Sequence, residues 1–277
     1  KKYIKFAIYT FKEKIMIIGV PKEILKNEKR VAVIPSTVKE YIKKGIKVII
    51  ETNAGAGSFI SDSEYESVGA KIIDDVKELF SKSDLILKVN SPLMKKKIGI
   101  HEAEMIKNGS AFVSFFQTTM EIETVKKFIE KKITGISMHL VPRTTLAQKM
   151  DALSSQSNIA GYKAILIGAG HIAKYMPLLM TAAGTIQPSK VLIIGAGVAG
   201  LQSIATAKRL GAQVEAFDVR PVVKEQVESL GAKFVEVPSD ENDGVGKGGY
   251  AKETSQEYKE KQAELLKDHI AKSDLVV

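Results

Sequence analysis

GAGVAG, Gly195 to Gly200, sets three glycines at the spacing G-x-G-x-x-G, directly after the apolar run KVLII and at the start of a helical pattern. A glycine-rich turn is weak evidence by itself, and its context strengthens it. Asp218 ends the next apolar run, QVEAFDV, 23 residues after Gly195. Each position has a physical reason in a dinucleotide site. Gly195 permits the tight turn, Gly197 lets the backbone approach a pyrophosphate, Gly200 lets helix pack on strand, and free amides at the helix start favour the anion. The Asp218 carboxylate would accept hydrogen bonds from an adenosine ribose diol and repel a 2′-phosphate, so the predicted cofactor is NAD(H) rather than NADP(H). A purely structural turn is the alternative.

A similar string lies upstream. LIGAGHIA carries Gly168, Gly170 and Ala173 after the apolar AILI, but the residue at the same offset of 23 is Val191, not an acid. That predicts a small-residue face on a long buried helix, with His171 a satisfied helix histidine. The chain has no cysteine, which excludes disulfides, thiolate nucleophiles and cysteine-ligated zinc or iron–sulfur sites. No metal is expected, and redox chemistry must run through a borrowed cofactor.

The elements that must position these residues come from a chain of 277 residues, 44% hydrophobic, enough for two domains. Its formal charge is +9, but residues 1–15 alone hold five Lys and one Glu. The remaining excess is scattered lysine with few aromatics beside it, which reads as solvated surface rather than a nucleic-acid face. No uncharged apolar run reaches the roughly 18 residues that span a bilayer; Ser154–Ser189 is the most apolar stretch, and Lys163 and Lys174 interrupt it. Residues 1–15 lack a secretory cleavage signature and read as a targeting segment, a linker end or an expression remnant. The folded part is expected from Met16.

From there the hydrophobic pattern alternates between strand and helix. Strands are predicted at IMIIGV, KVIIE, Lys71–Ile73, Asp84–Val89, Ala111–Phe116 and Ile136–Leu140, with helices at Thr37–Lys44, Ser61–Gly69, Val76–Ser81 and Glu121–Lys132. A second unit follows: strands Lys190–Gly195, Gln213–Val219 and KFVEV, helices Ala199–Leu210, Pro221–Leu230 and Ser255–Ile270, and a last buried strand in SDLVV. Such alternation predicts an α/β fold of two doubly wound parallel-sheet, Rossmann-like subdomains with a cofactor cleft between them. The expected division is an extension over 1–15, a first subdomain over 16–150 and an NAD(H)-binding subdomain over 151–277. The polar, glycine-rich run 238–249 is long enough to suggest a functional loop.

Three stretches go further. PRTTLAQKMDALSSQSNIAGYKA (Pro142–Ala164), GAGVAGLQSIATAKRLGA running on to FDVRP, and GGYAKETS (Gly248–Ser255) resemble the NAD(H)-binding domain of proton-translocating NAD(P) transhydrogenases. GVPKEILKNEKRVAVIP (Gly19–Pro35) matches an opening those proteins share with alanine dehydrogenases. The resemblance implies a nicotinamide-orienting set of Arg143, Gln148, Asp151 and Ser154. In it Arg143 binds cofactor and is held by Asp151, Gln148 reaches toward the nicotinamide ribose and the second nucleotide, and Ser154 fixes the carboxamide. A helix cap beside a solvated arginine is the structural alternative. Tyr250 resembles the tyrosine of a mobile loop that folds over nucleotide, with hinge freedom from Gly244, Gly246, Gly248 and Gly249; the alternative is an ordinary surface tyrosine. Val198, Val219, Arg220 and Gly249 complete the implied cofactor contacts.

The same comparison separates the two relatives. Alanine dehydrogenases hold an oxo-acid with an arginine, a lysine and a histidine; here Arg30 matches the first, but Asn90 and Gln117 stand at the other two. What the resemblance implies is hydride exchange between bound NAD(H) and NADP(H) held on a separate domain. Proton translocation would belong to a membrane domain, and the protein would be a homodimer. It would be a soluble part of a membrane-associated complex, facing bacterial cytoplasm or a mitochondrial matrix. Leu146 stands where the family usually has a second arginine, and the family's domain continues beyond the position of Val277, so the cofactor subdomain is expected to lack its last strands. An alanine-dehydrogenase-like oxidoreductase and a non-catalytic NAD(H)-binding module are the rival readings.

Overall fold

The computed structural model describes residues 15–142, 144–237 and 256–277. The chain divides after Pro142 into two compact units. In the first, β1 (Ile17–Val20) leads through α1 (Pro35–Lys43) to β2 (Lys47–Glu51), α2 (Asp62–Ser67), β3 (Lys71–Ile73), α3 (Val76–Lys82) and β4 (Leu85–Leu87). A two-stranded antiparallel ribbon, β5 (Met94–Lys95) with β6 (Ile100–His101), and the short α4 (Glu102–Met105) precede β7 (Ala111–Ser114), α5 (Ile122–Glu130) and β8 (Thr134–Ser137). The sheet order is β3-β2-β1-β4-β7-β8, every pair parallel.

Side-chain alternation explains why helices cover both faces. Val48 and Ile50 of β2 join Ile18, Val20, Val38 and Tyr65 on one side, while Ile49 joins Leu79, Phe80, Ile86, Phe112 and Phe128 on the other. Local chemistry sets the element ends. Ser61 caps α2 in a reciprocal capping box with Glu64, and Gly69, at φ +97°, ends that turn.

The second unit begins with α6 (Ala152–His171) and an exposed antiparallel hairpin, β9 (Leu179–Thr181) and β10 (Gly184–Ile186). There follow β11 (Lys190–Ile194), α7 (Val198–Arg209), β12 (Gln213–Phe217), α8 (Lys224–Ser229), β13 (Lys233–Val235), α9 (Gln256–Ala271) and β14 (Leu275–Val276). Its parallel sheet runs β13-β12-β11-β14. Val191, Ile193, Ile204, Val214, Ala216 and Val227 form its main core, and Phe217, Val235 and Val237 take the underside of α9 through Leu265 and Leu266.

The α/β fold with two doubly wound parallel sheets is as the pattern predicts, and four details differ. The strand expected at Ile136–Leu140 lies two residues earlier. Gly135 sits under the Phe116 and Phe128 rings, where a Cβ would be 3.0 Å from each, and Ser137 donates to the Phe116 carbonyl and caps a 3-10 turn over Met138–Leu140. The hairpin β9/β10 and the ribbon β5/β6 were hidden inside apolar and lysine-rich stretches with no turn signature of their own. The small-residue face of α6 exists, since Gly161 and Gly168 are buried, but the helix is not buried all round: Ile159, Tyr162 and Ile167 are exposed. Likewise β14 is only half covered, with Val276 at 40% exposure, because β11 is its one partner among the described residues.

Order reverses in each sheet where chain-distant strands meet, at β1/β4 and at β11/β14, and such switch points are where open α/β sheets leave a crevice. In the first unit that end is filled with charge. Lys88, following β4 and fully buried, lies 2.5 Å from Glu102 and 3.7 Å from Glu23, both also buried. Glu23 in turn accepts from the Val89 amide at 2.7 Å, and Glu102 from the Leu93 amide at 2.9 Å. Removing one member of a buried ion pair leaves the other charge uncompensated. Lys88→Ala is therefore expected to lower unfolding stability by about 3–5 kcal/mol, measured by urea denaturation. A loss below about 1 kcal/mol would show that the group contributes no more than a surface pair.

Candidate functional site

The turn between β11 and α7 has the geometry its glycines imply. Gly195 is at φ +100°, in the region that favours glycine. A Cβ on Gly200 would lie 1.7 Å from the Gly195 carbonyl oxygen, so only glycine lets α7 start this close to β11. A Cβ on Gly197 would meet nothing within 4 Å: the backbone there faces open space. Gly197 is the N-cap of α7 and supplies no side-chain acceptor, so the amides of the first helical turn point out with the positive end of the helix dipole. Backbone amides facing open space fit the pyrophosphate of a dinucleotide.

Asp218 follows β12 and is 8% exposed. One carboxylate oxygen accepts from the Ala196 amide at 2.8 Å, which ties the glycine turn to the next strand. The Arg220 amide donates to the other oxygen at 2.8 Å, and the Arg220 side chain reaches both oxygens at 2.9 Å. Burial alone would raise the Asp218 carboxyl; the Arg220 side chain and the two amides outweigh it and hold it below the usual carboxylate range. Val219 turns instead into the apolar cluster under α9.

Beside the turn lies a pocket of about 500 Å³, walled by Ile193–Gly195, Gly197–Gly200 and Val277 on one side and by Ser157, Ala160, Gly161 and Ala164 of α6 on the other. Sequence reading missed the α6 wall. Its signal was present, four small residues at helical spacing in an apolar stretch. Gly161 makes the crossing possible, because a Cβ there would lie 2.0 Å from the Ala199 carbonyl, and the Ser203 hydroxyl donates to the Gly161 carbonyl at 3.0 Å.

Upstream of that wall stands the expected nicotinamide-orienting segment. Gln148 is exposed in a 3-10 turn over Thr145–Met150. Asp151 is the N-cap of α6, accepting from the Ser154 amide at 2.9 Å and from the Ser154 hydroxyl at 2.6 Å. Asp151 and Ser154 are thus held together as a cap, one of the two roles the sequence left open. Arg143, Tyr250 and the loop glycines, Gly249 among them, lie outside the described residues. His171 is satisfied, its Nδ1 2.8 Å from the Ile167 carbonyl oxygen.

Each unit resembles the family whose motifs the sequence carries. The family model described as alanine dehydrogenase/PNT, N-terminal domain, matches residues 19–160, and the corresponding C-terminal domain matches 164–277. The chain belongs to the alanine dehydrogenase/PNT family. It is 43% identical over 263 residues to an NAD(P) transhydrogenase subunit alpha chain of Rhodospirillum rubrum, covering 95% of this chain and 68% of that one. With NAD(P) transhydrogenase subunit alpha of Haemophilus influenzae it shares 44% over 262 residues, 95% of this chain but 49% of that one, so it spans about half of that relative. An alanine dehydrogenase of Methanococcus maripaludis is 36% identical over 207 residues, covering 74% of this chain and 53% of that one. Among solved structures, a transhydrogenase from Sinorhizobium meliloti superposes with a TM-score of 0.79 at 41% identity, covering 94% of this chain and 68% of that one.

In the first unit, the residues that separate the two branches of this family are occupied internally. Glu28 accepts from Arg30 at 2.7 and 2.9 Å and from the Asn90 amide nitrogen at 2.8 Å, and Asn90 also donates to Glu23 at 3.1 Å. Gln117 is exposed, its backbone amide donating to Glu121. The Arg30 guanidinium, with help from Asn90 and against the effect of burial, holds the Glu28 carboxyl down to about 2. A depressed carboxyl contributes stability that is present above its ordinary 4.5 and lost as pH falls toward 2. The stability gap between the parent chain and Glu28→Gln should accordingly be widest above that range and close on acidification, as followed by denaturant titrations at several pH values.

Two motif glycines that differ in surroundings give a direct test of the turn. Gly197→Ala adds a methyl group to open space, so unfolding stability should stay within about 0.5 kcal/mol while NADH affinity, measured by fluorescence titration, falls about tenfold or more. Gly200→Ala should damage folding itself. Equal NADH binding by Gly197→Ala would place the dinucleotide elsewhere.

Proposed function

We propose that this chain is the NAD(H)-binding component of a Re/Si-specific NAD(P) transhydrogenase and exchanges hydride directly between its own NAD(H) and an NADP(H) held by a partner domain. The observation that carries this reading is the pairing of an open, uncapped glycine turn and Asp218 with a pocket whose far wall is the helix capped by Asp151 and Ser154. The turn would hold pyrophosphate on backbone amides, Asp218 the adenosine ribose, and the segment from Arg143 to Ser154 the nicotinamide end. NAD(H), when bound, supplies the hydride or accepts it. Hydride transfer between two nicotinamides needs no general acid or base, only two rings in near contact, correctly oriented and shielded from water. The chain's residues accordingly position rather than react: Gln148 is exposed where an incoming second nucleotide could reach it, and Tyr250 closes over the bound one.

Proton coupling belongs to a membrane domain of the complex, consistent with the absence, among the described residues, of any helix long and apolar enough to cross a bilayer. Within that complex the chain works as a homodimer on the bacterial cytoplasmic or the mitochondrial matrix side. The exposed apolar side chains of β9/β10 and α6, including Met180, Ile186 and Tyr162, are surface that a second subunit would cover.

Mixing the protein with an isolated NADP(H)-binding transhydrogenase domain tests the reading. NADH and NADP⁺ should exchange hydride, followed with deuterium-labelled NADH, and no exchange with both nucleotides bound would overturn it. Pyruvate- and ammonium-dependent oxidation of NADH would instead favour the alanine dehydrogenase branch, against which stand Asn90, Gln117 and the engagement of Arg30 by Glu28.

A further inference from the structure

Asp218, the expected ribose acceptor, has no acceptor position left. A carboxylate offers about four lone-pair positions, and here two go to the Ala196 and Arg220 amides and two to Nε and Nη2 of Arg220. A ribose diol brings two O–H donors and must displace two of these partners. The amides cannot leave without opening the glycine turn or the chain reversal after β12. The Arg220 side chain can, because it is partly solvent-exposed, 20% against 6% for Asp218, and swings on rotatable bonds.

Resting on the NAD(H) reading above, we propose that Arg220 is the specificity-determining residue of the ribose subsite: its guanidinium occupies the diol's place on Asp218 and must be displaced before the cofactor seats. Two consequences follow from charge and geometry. First, the resting pair lowers apparent affinity for any nucleotide, because only the fraction of molecules with Arg220 displaced is competent. Second, discrimination is weaker than a bare aspartate would give. While paired, Arg220 cancels the charge that would repel a 2′-phosphate, and once displaced it remains tethered two residues away, where a guanidinium favours that phosphate. The preference for NAD(H) over NADP(H) is thus a balance between Asp218 and Arg220 and not a property of the aspartate alone.

The test compares NADH and NADPH binding to the parent chain, Arg220→Ala and Arg220→Lys by calorimetry, with folding of each variant checked by circular dichroism. In Arg220→Ala, NADH should bind at least as tightly as to the parent and NADPH more weakly, raising the ratio of the two dissociation constants about tenfold or more. Arg220→Lys, which keeps the charge without the two-pronged geometry, should fall between. An unchanged or reduced ratio in Arg220→Ala, or equal weakening of both nucleotides, overturns the proposal and makes Arg220 an ordinary cofactor contact. A carboxyl-carbon NMR titration of nucleotide-free protein separates the inference from its foundation. Asp218 should titrate higher in Arg220→Ala than in the parent; if it does and neither nucleotide binds the parent, the NAD(H) reading fails while the gate itself stands, and if it does not, the resting pair is absent.

Discussion

The second unit depends on one close approach, the contact between the Gly195 carbonyl and the α-carbon of Gly200. With no side chain at position 200, α7 begins directly against the end of β11. Everything that gives the site its character follows from that proximity. The first-turn amides of α7 are brought to the carboxyl end of the sheet, and Ala196 comes within reach of Asp218 across the neighbouring strand. The helix axis is also set so that α6 can cross it at Gly161. A methyl group at position 200 would push helix and strand apart and separate all three at once.

The two sheets have closely related winding and opposite treatment of their switch points. At β1/β4 the crevice is closed by Lys88, Glu23 and Glu102, with Glu28, Arg30 and Asn90 beside them, so opposite charges and amide donors satisfy one another. At β11/β14 the lining is glycine, alanine and backbone amide, and the space stays open. Burying ions without partners is prohibitive, whereas an array of unpaired amides at the protein surface can wait in water for an anion. The first unit is thereby a stable body and the second a receptor.

Legibility in the sequence followed the range of the physics. Strands such as KVIIE and KVLII were readable because buried parallel strands are continuous apolar runs, and the glycine turn was readable because its constraints act within six residues. Asp218 was legible as an acid at the end of a strand, but its pairing with Arg220 was not, since sequence shows adjacency and not which way a side chain folds back. The α6 wall was missed for a related reason: a stripe of small residues gains meaning only when a second helix is known to press on it. The strand expected at Ile136–Leu140 moved because two phenylalanine rings select Gly135, a contact no local pattern encodes.

The crossing of α6 over α7 gives the second unit a fixed ruler. Gly161 is locked to Ala199 and Ser203, and seven residues earlier on the same rigid helix stands Ser154, about 10 Å away along the axis at 1.5 Å per residue. The segment that would meet one end of a ligand is therefore registered against the turn that would meet its middle by helix pitch alone, with no loop in between to absorb error. One residue inserted between Ser154 and Gly161 would rotate the cap by about 100° around the helix. Length and phase of α6 are fixed together, and evolution can alter the chemistry at either end more freely than the spacing between them.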